Sequence, residues 1–216
     1  MPKRPTRKDI AEEDRLMLKR QANFRCAADA LTAAFASFAE VRAVTLFGSV
    51  ARPLDREVPR FRPFRDFGIE IFHECKDVDL AVRIDRLDNL ADLNRARGKA
   101  LAALNENSGI GVAHHQADIF LFGDGWNPYL GRLCIYGQCP KGKVECLTPG
   151  CGSAAFLMQH EGFVLKPDAL AENRSAPLFD REHGLLRRAI DLPETAPVPS
   201  PTKTRRDGSP ARFSNI

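Results

Sequence analysis

The fold of this chain is decided by residues 41–49, VRAVTLFGS, where a mostly apolar run ends abruptly in a Gly-Ser pair. A short apolar run that stops at a sharp turn predicts a buried β-strand over residues 41–47. An alternating run over residues 77–84, DVDLAVRI, predicts a second strand. These two segments therefore predict two strands of one sheet.

The second predicted strand carries two carboxylates on one face. Side chains alternate across a strand, so Asp77 and Asp79 share one face. The alternate residues Val78, Leu80 and Val82 share the other face, which we expect to pack against helices. Two close carboxylates repel each other unless a cation lies between them, and hard divalent cations prefer carboxylate oxygen. The pair therefore predicts a site for Mg²⁺ or a similar ion.

The Gly-Ser pair predicts the other half of a phosphate-binding site. Glycine lets the backbone approach a ligand closely, and exposed N–H groups ahead of a helix attract anions. Ser49 adds a hydroxyl donor beside Gly48. Arg52 is a further candidate, because a planar guanidinium matches the geometry of phosphate oxygens. The next residue, Pro53, disfavours helix at the residue before it and cuts a helical turn short.

A third carboxylate, Asp118, lies within an otherwise apolar predicted strand over residues 117–122. A carboxylate among apolar residues is costly to bury without a partner. Taken singly, Gly48-Ser49 is typical of an ordinary turn, and Asp77 and Asp79 are typical of solvated side chains. Taken together with Asp118, they favour a functional site.

With this combination of motifs, the chain resembles the DNA polymerase beta-like nucleotidyltransferase superfamily. Its small size resembles that of the minimal nucleotidyltransferases. The hallmark of that superfamily is Gly-Ser, then Asp-x-Asp on the next strand, then a third Asp on a neighbouring strand. The resemblance covers residues 41–122. It implies an α/β (α+β) nucleotidyltransferase fold with a short mixed β-sheet covered by helices.

The resemblance also implies a chemistry. A nucleoside monophosphate, AMP from ATP in our hypothesis, would pass to an acceptor by in-line attack on the α-phosphorus, with two Mg²⁺ ions stabilising the attacking and leaving oxygens. Asp77 and Asp79 would bind both ions. Asp118 would complete the ion that activates the acceptor and could receive the acceptor's proton. Gly48 and Ser49 would hold the β- and γ-phosphates.

An insertion sets the chain apart from this superfamily pattern. Residues 59–67, PRFRPFRDF, precede the Asp-x-Asp segment, which members of the superfamily usually reach sooner. Interleaved Arg and Phe suit clamping of phosphates or stacking on a base. The alternative, which we favour, is a loop whose phenylalanines pack on the core while its arginines stay hydrated. His114 and His115, just before the third strand, face either nucleotide or solvent.

Two helical regions follow from apolar spacing. Residues 9–40 predict one long or two shorter amphipathic helices, and residues 87–105 predict the helix that crosses between the second and third strands.

Four of the six cysteines lie in one window with the spacing C-x4-C-x6-C-x4-C, namely Cys134, Cys139, Cys146 and Cys151. Disulfides are unfavourable in a reducing compartment, whereas thiolate pairs spaced by up to about four residues suit tetrahedral Zn²⁺. Four thiolates fill the coordination shell, so the sequence predicts a structural zinc rather than a catalytic one. Free thiols or a redox pair are the alternatives.

Length and composition allow one domain with an appendage. The chain has 216 residues, of which 44% are hydrophobic, and this suffices for a core. No apolar run approaches the roughly 18 residues of a membrane span, and residues 1–8 lack the hydrophobic segment of a secretory signal. We therefore expect a cytoplasmic protein without a membrane partner.

The net charge of +4 is placed unevenly. Residues 1–8 carry +4 and residues 203–216 carry +3, which leaves −3 on residues 9–202. A mildly acidic body disfavours a nucleic-acid-binding surface on the core, although the tails could touch RNA or DNA non-specifically. Solvated, disordered ends are the interpretation we favour.

These observations divide the chain into four predicted segments. They are a basic flexible tail (1–8), a nucleotidyltransferase core (9–127), a Cys-rich appendage with a final helix or strand (128–170), and an extended, partly disordered tail (171–216). The predicted function is metal-dependent transfer of a nucleoside monophosphate to a protein, an RNA end or a small molecule. The alternative is a non-catalytic, antitoxin-like nucleotide- or partner-binding module on the same fold. The acidic core disfavours polymerisation or end-addition.

Overall fold

The first element is a long helix, α1 (Arg7–Phe35), whose start is fixed by a capping box. The hydroxyl of Thr6 accepts a hydrogen bond from the backbone N–H of Asp9 at 3.3 Å, and the Asp9 carboxylate accepts one from the N–H of Thr6 at 2.7 Å. Both bonds satisfy N–H groups that would otherwise lack partners at the helix start. The helix covers residues 9–35 of the predicted region 9–40 without interruption, begins inside the predicted tail 1–8, and leaves residues 36–40 outside.

The computed structural model describes residues 3–126, 128–138, 154–159, 163–166 and 168–195. The elements after α1 are β1 (Val41–Phe47), β2 (Arg56–Glu57), β3 (Ile71–Phe72), β4 (Val78–Ile84), α2 (Leu90–Ser108), β5 (Ala117–Phe122), β6 (Tyr129–Leu133), β7 (Leu157–Met158), β8 (Ser175–Asp180) and β9 (Gly184–Leu185). No helix among these residues has the length and apolar character needed to cross a membrane.

Seven strands form one mixed sheet in the order β7-β6-β5-β4-β1-β8-β9, and β2 and β3 form a separate hairpin. β4 and β5 are parallel, whereas β1 is antiparallel to both of its neighbours, β4 and β8. Parallel neighbours need a long crossover, and α2 supplies it. The predicted α/β class with a mixed sheet and helices is confirmed.

The two faces of the central strands differ in character. Val78, Leu80 and Val82 are buried in one apolar cluster to which α1 and α2 also contribute. Asp77 and Asp79 are only half-buried. The alternation of side chains along β4 therefore separates a core face from a polar face, as the pattern in the sequence predicts.

The main sheet extends beyond the predicted core 9–127. β6 pairs with β5 and β7 pairs with β6, so strands from the predicted appendage continue the same sheet. β8, within the predicted tail 171–216, pairs with the central strand β1. Pro177 breaks the local β signal of β8, and the partner strand is remote in sequence, so only tertiary pairing reveals this strand.

Arg25 of α1 joins distant parts of the chain through one buried guanidinium, which is 1% exposed. Its Nε donates to the carbonyl of Val50 at 3.0 Å, and its Nη2 donates to that of Arg52 at 3.2 Å. The same group donates to the carbonyls of Leu192 and Pro193. Burial lowers the pKa of Arg25. One side chain thus connects α1, the turn after β1 and the segment that follows β9.

Replacing this guanidinium should destabilise the whole fold. Arg25→Met leaves the buried carbonyls without donors, so we expect the free energy of unfolding to fall by on the order of 3 kcal/mol. Urea denaturation followed by circular dichroism measures the change. The matched control is Arg95→Met, because Arg95 pairs with Asp92 on the surface of α2 and should contribute less than about 1 kcal/mol. Equal stability of the two variants would contradict the structural role of Arg25.

Candidate active site

A row of side chains crosses three adjacent strands at one end of the sheet. In register, Phe47 of β1 faces Asp79 of β4, and Asp79 faces Asp118 of β5. Strands that pair in a sheet lie about 4.8 Å apart. The parallel pairing of β4 and β5 therefore makes Asp79 and Asp118 direct neighbours, with Asp77 just before β4.

Gly48 lies directly against one of these carboxylates. Its φ of +77° is in the left-handed region, and a Cβ built on it would be 2.5 Å from Oδ2 of Asp79. Only glycine satisfies both the dihedral angle and the close approach. The Gly-Ser turn and the Asp-x-Asp segment are thus in contact, as a shared site requires.

The turn after Gly48 is held by α1 rather than continued as a helix. The side-chain amide of Gln21 donates to the carbonyl of Arg52 at 2.7 Å and to that of Ser49 at 3.4 Å. Residues 50–89, all of them described, contain no α-helix. The expectation of N–H groups ahead of a helix is therefore not met, because Pro53 ends the helical turn.

The hydroxyl of Ser49 is placed beside a buried thiol. Burial raises the pKa of that thiol, which belongs to Cys75, and the nearby Ser49 side chain opposes this shift. Ser49 also lines a cleft next to the carboxylates. Ser49 is therefore part of the wall of the candidate site.

This cleft has a volume of about 360 Å³ and opens between the Asp-x-Asp segment and the insertion. Its lining combines carboxylates, cationic groups and exposed rings, contributed by Ser49, Glu57, Pro59, Arg60, Phe61, Ile71, Phe72, His73, Glu74, Lys76, Asp77 and Asp79. Arg52 does not line it. The cations of the cleft come instead from Arg60 and Lys76. Arg60 belongs to the insertion whose arginines the sequence offers as a phosphate clamp, whereas no sequence pattern singled out Lys76.

The insertion divides its phenylalanines between core and cleft. Phe64 is 6% exposed and packs inward, as the favoured interpretation predicts. Phe61 is 37% exposed, lies edge-on to Phe64 at 5.9 Å between ring centroids, and lines the cleft. An exposed ring beside cationic side chains suits stacking on a base.

The wall of the cleft formed by β2 and β3 is anchored to α1. Asp14 accepts a hydrogen bond from the backbone N–H of Phe72 at 2.9 Å and pairs with Arg56. The Arg56 guanidinium lies 4.6 Å from the centroid of the Phe72 ring. Arg20 of α1 pairs with Glu74 at 2.8 Å. These contacts fix this wall of the cleft against α1.

Asp79 is the most perturbed carboxyl of the site. Burial raises its pKa to about 7, and the negative charges of Asp118 and Asp77 act in the same direction. Arg132 opposes this shift. A divalent cation would relieve the repulsion among these carboxylates, and carboxylate oxygens suit Mg²⁺. The donor set therefore fits the predicted ion.

Arg132 is a site residue that sequence reasoning missed. Its Nη1 donates to Oδ2 of Asp118 at 2.6 Å, and both side chains are mostly buried. Arg132 lies on β6, which pairs with β5 after residues 123–128, whereas the sequence analysis assigned this segment to the appendage. A cation thus already contacts the third carboxylate.

A second pocket, of about 140 Å³, lies on the side of Asp118 that carries Arg132. His114 and His115 line it together with Arg97 of α2. Burial lowers the pKa of Arg97 to about 10. Burial and the charge of Arg97 both lower the pKa of His114. The two histidines therefore face this pocket rather than the cleft beside Asp77.

The described residues contain one group of three potential metal-binding side chains whose ligand atoms all lie within 4.8 Å of one another, Asp180, Glu182 and His183. Two of the three are exposed, and Asp180 accepts a hydrogen bond from His183 at 3.1 Å. Asp77, Asp79 and Asp118 are not drawn together in this way. Like charges repel, and Arg132 pairs with Asp118, which accounts for the separation of these three carboxylates.

The predicted zinc site falls largely outside the described residues. Cys134 follows β6, and its Sγ accepts a hydrogen bond from the backbone N–H of Tyr136 at 3.4 Å. Cys139, Cys146 and Cys151 are among the residues that the structure does not describe. The structural zinc remains a prediction.

Comparisons with protein-family models, with curated proteins and with solved structures gave no match.

The raised pKa of Asp79 makes stability depend on pH. Its ordinary value is 3.8 and its value in the folded protein is about 7, so stability that is present below pH 3.8 is lost as pH rises through 7. Asp79→Asn cannot ionise. We expect this variant to exceed the metal-free wild type in stability by on the order of 2 kcal/mol at about pH 8, with little difference at about pH 4.

Thermal unfolding in the presence of a chelator measures this difference. The control is Asp88→Asn, because Asp88 is exposed and remote from the site and should show no such dependence on pH. Parallel stability profiles of wild type and Asp79→Asn would refute the electrostatic account of Asp79.

Proposed function

We propose that the protein is a metal-dependent nucleotidyltransferase that moves a nucleoside monophosphate, AMP from ATP, to an acceptor hydroxyl or phosphate. The observation that carries this proposal is the contact of Gly48 with Asp79, beside Asp118 in register on the parallel strand. A left-handed glycine fitted against a half-buried carboxyl supports a site that gathers phosphate, metal and acceptor.

The cleft beside Asp77 and Asp79 would take the nucleotide. A volume of about 360 Å³ lies within the range of small-molecule sites. The phosphate groups would be bound by Arg60, Lys76 and Ser49. The ring of Phe61 would stack on the base.

Asp77, Asp79 and Asp118 would hold Mg²⁺, which would supply charge neutralisation on the phosphates and a lowered pKa for an acceptor hydroxyl. In the transfer, the acceptor oxygen forms a bond to the α-phosphorus, and the bond to the pyrophosphate oxygen breaks. Pyrophosphate leaves with the electron pair. Asp118 would take the hydroxyl proton, since it lies on the far side of Asp79 from the cleft.

A non-catalytic nucleotide- or partner-binding module is the second candidate. One contact favours it, because Arg132 already gives Asp118 a cationic partner. A protein that had no use for an acceptor-side metal could keep such a pair. Binding of nucleotide without any transfer would be its signature.

Both cleft carboxylates should be essential for transfer. Asp77→Asn and Asp79→Asn should each lower the rate by at least about 100-fold, because each removes metal-binding charge worth several kcal/mol in the transition state. The assay follows label from ATP into acceptors of a host lysate with Mg²⁺ or Mn²⁺. Asp88→Asn serves as the control. Equal labelling by wild type and both variants would reject the assignment of Asp77 and Asp79 to an active site. ATP binding by the wild type without any labelling would favour the non-catalytic module.

Substitution of Asp118 should affect turnover much more than nucleotide binding. Asp118→Asn should keep ATP affinity within about tenfold, or about 1.4 kcal/mol, because Asp77 and Asp79 still serve the nucleotide. It should lose most turnover, because the acceptor side loses its carboxylate. Calorimetric titration and single-turnover kinetics on one sample test this. Unchanged turnover per folded molecule would remove Asp118 from the mechanism.

A further inference from the structure

The pocket beside Asp118 contains a buried cation without a matching anion. Arg97 is 2% exposed and lines the pocket. Its Nη1 donates to the carbonyl of Leu133 at 3.2 Å, and its Nη2 donates to the side chain of Asn94. Its Nε has no hydrogen-bond partner. Within the described part of the chain, Arg97 forms no ion pair with a carboxylate.

A buried guanidinium is strongly disfavoured unless charge and hydrogen bonds compensate it. The carbonyl and the amide supply partial compensation but no negative charge. The carboxylate of the pocket, Asp118, favours the charged form of Arg97 but pairs with Arg132, at 2.6 Å. Among the described residues, no carboxylate is therefore left to pair with Arg97 itself, and an anion is the group that would complete its hydrogen bonds and charge.

Further side chains around the pocket suit a phosphate group. His114 and His115 add imidazole nitrogens, and Arg132 adds a second guanidinium. Gly98, next to Arg97, gives His114 room against α2, because a Cβ there would be 3.1 Å from the imidazole ring. Two guanidinium groups offer the planar forks that bind phosphate oxygens in pairs. A volume of about 140 Å³ suits a small group rather than a whole nucleotide.

We propose that this pocket binds the phosphate group of a phosphorylated acceptor and thereby orients the acceptor for attack. The nucleotide cleft contains Asp77 and Asp79, while this pocket contains Asp118, their neighbour on β5. A phosphate anchored by Arg97 places the rest of the acceptor beside Asp118, opposite the nucleotide. The role of the bound molecule as acceptor rests on the proposed function, whereas phosphate binding does not.

Titration of the ¹⁵N-labelled full chain with inorganic phosphate and with glycerol phosphate tests the site directly by NMR. We expect shifts at the Nε–H of Arg97 and the amides of His114 and Tyr136. Arg97→Gln should weaken binding at least about tenfold, while Arg95→Gln, on the exposed surface of the same helix, should not. Arg97→Gln should leave the affinity for ATP with Mg²⁺ unchanged, because the cleft lies on the other side of Asp79.

The outcomes are distinguishable. Shifts confined to Arg60 and Lys76 would place the phosphate in the cleft and overturn the proposal. Equal binding of acetate would show a carboxylate site and overturn the choice of phosphate. If Arg97→Gln does not fold, the wild-type titration still decides, because the Arg97 Nε–H either shifts or does not. Phosphate binding at Arg97 in a protein without transferase activity would support the pocket and reject only the proposed function.

Discussion

The buried guanidinium of Arg25 is the interaction on which the arrangement of the site depends. It satisfies carbonyls of the turn after β1 and of residues 192–193 at the same time. Those carbonyls face α1, so the opposite side of the turn is directed toward the carboxylates. The buried Arg25 on one side of the turn thus positions the candidate site on the other.

Electrostatic strain is concentrated at the sheet edge that this turn covers. Parallel pairing brings Asp79 and Asp118 together, and Gly48 packs against one of them. The chain tolerates this because Arg132 pairs with Asp118, and because the raised pKa of Asp79 favours its neutral form. Such arrangements are costly for stability and are typical of sites that gain their compensation from a ligand.

Local periodicity explains why much of the fold follows from sequence. Strands over 41–47 and 117–122 match β1 and β5, and the crossover helix predicted at 87–105 matches α2 with an offset of three residues. Asp79 and Asp118 then lie side by side, because β4 and β5 pair in parallel and place them in register. The partners Arg25, Arg97 and Arg132 could not be predicted, because long side chains find carbonyls and carboxylates that are remote in sequence. β8 could not be predicted either, because its partner strand β1 is also remote in sequence.

The placement of β8 beside β1 has a consequence for how the protein is made. The carbonyls of Leu192 and Pro193 contact Arg25 across sequence separations of 167 and 168 residues, and Leu54 bridges to Thr195. Contacts between such distant residues close late in folding, since the loop entropy must be overcome first. On the ribosome, therefore, the turn that carries Gly48 cannot reach its final setting until residue 195 has left the exit tunnel. The carboxylates of the candidate site therefore reach their final arrangement late in folding.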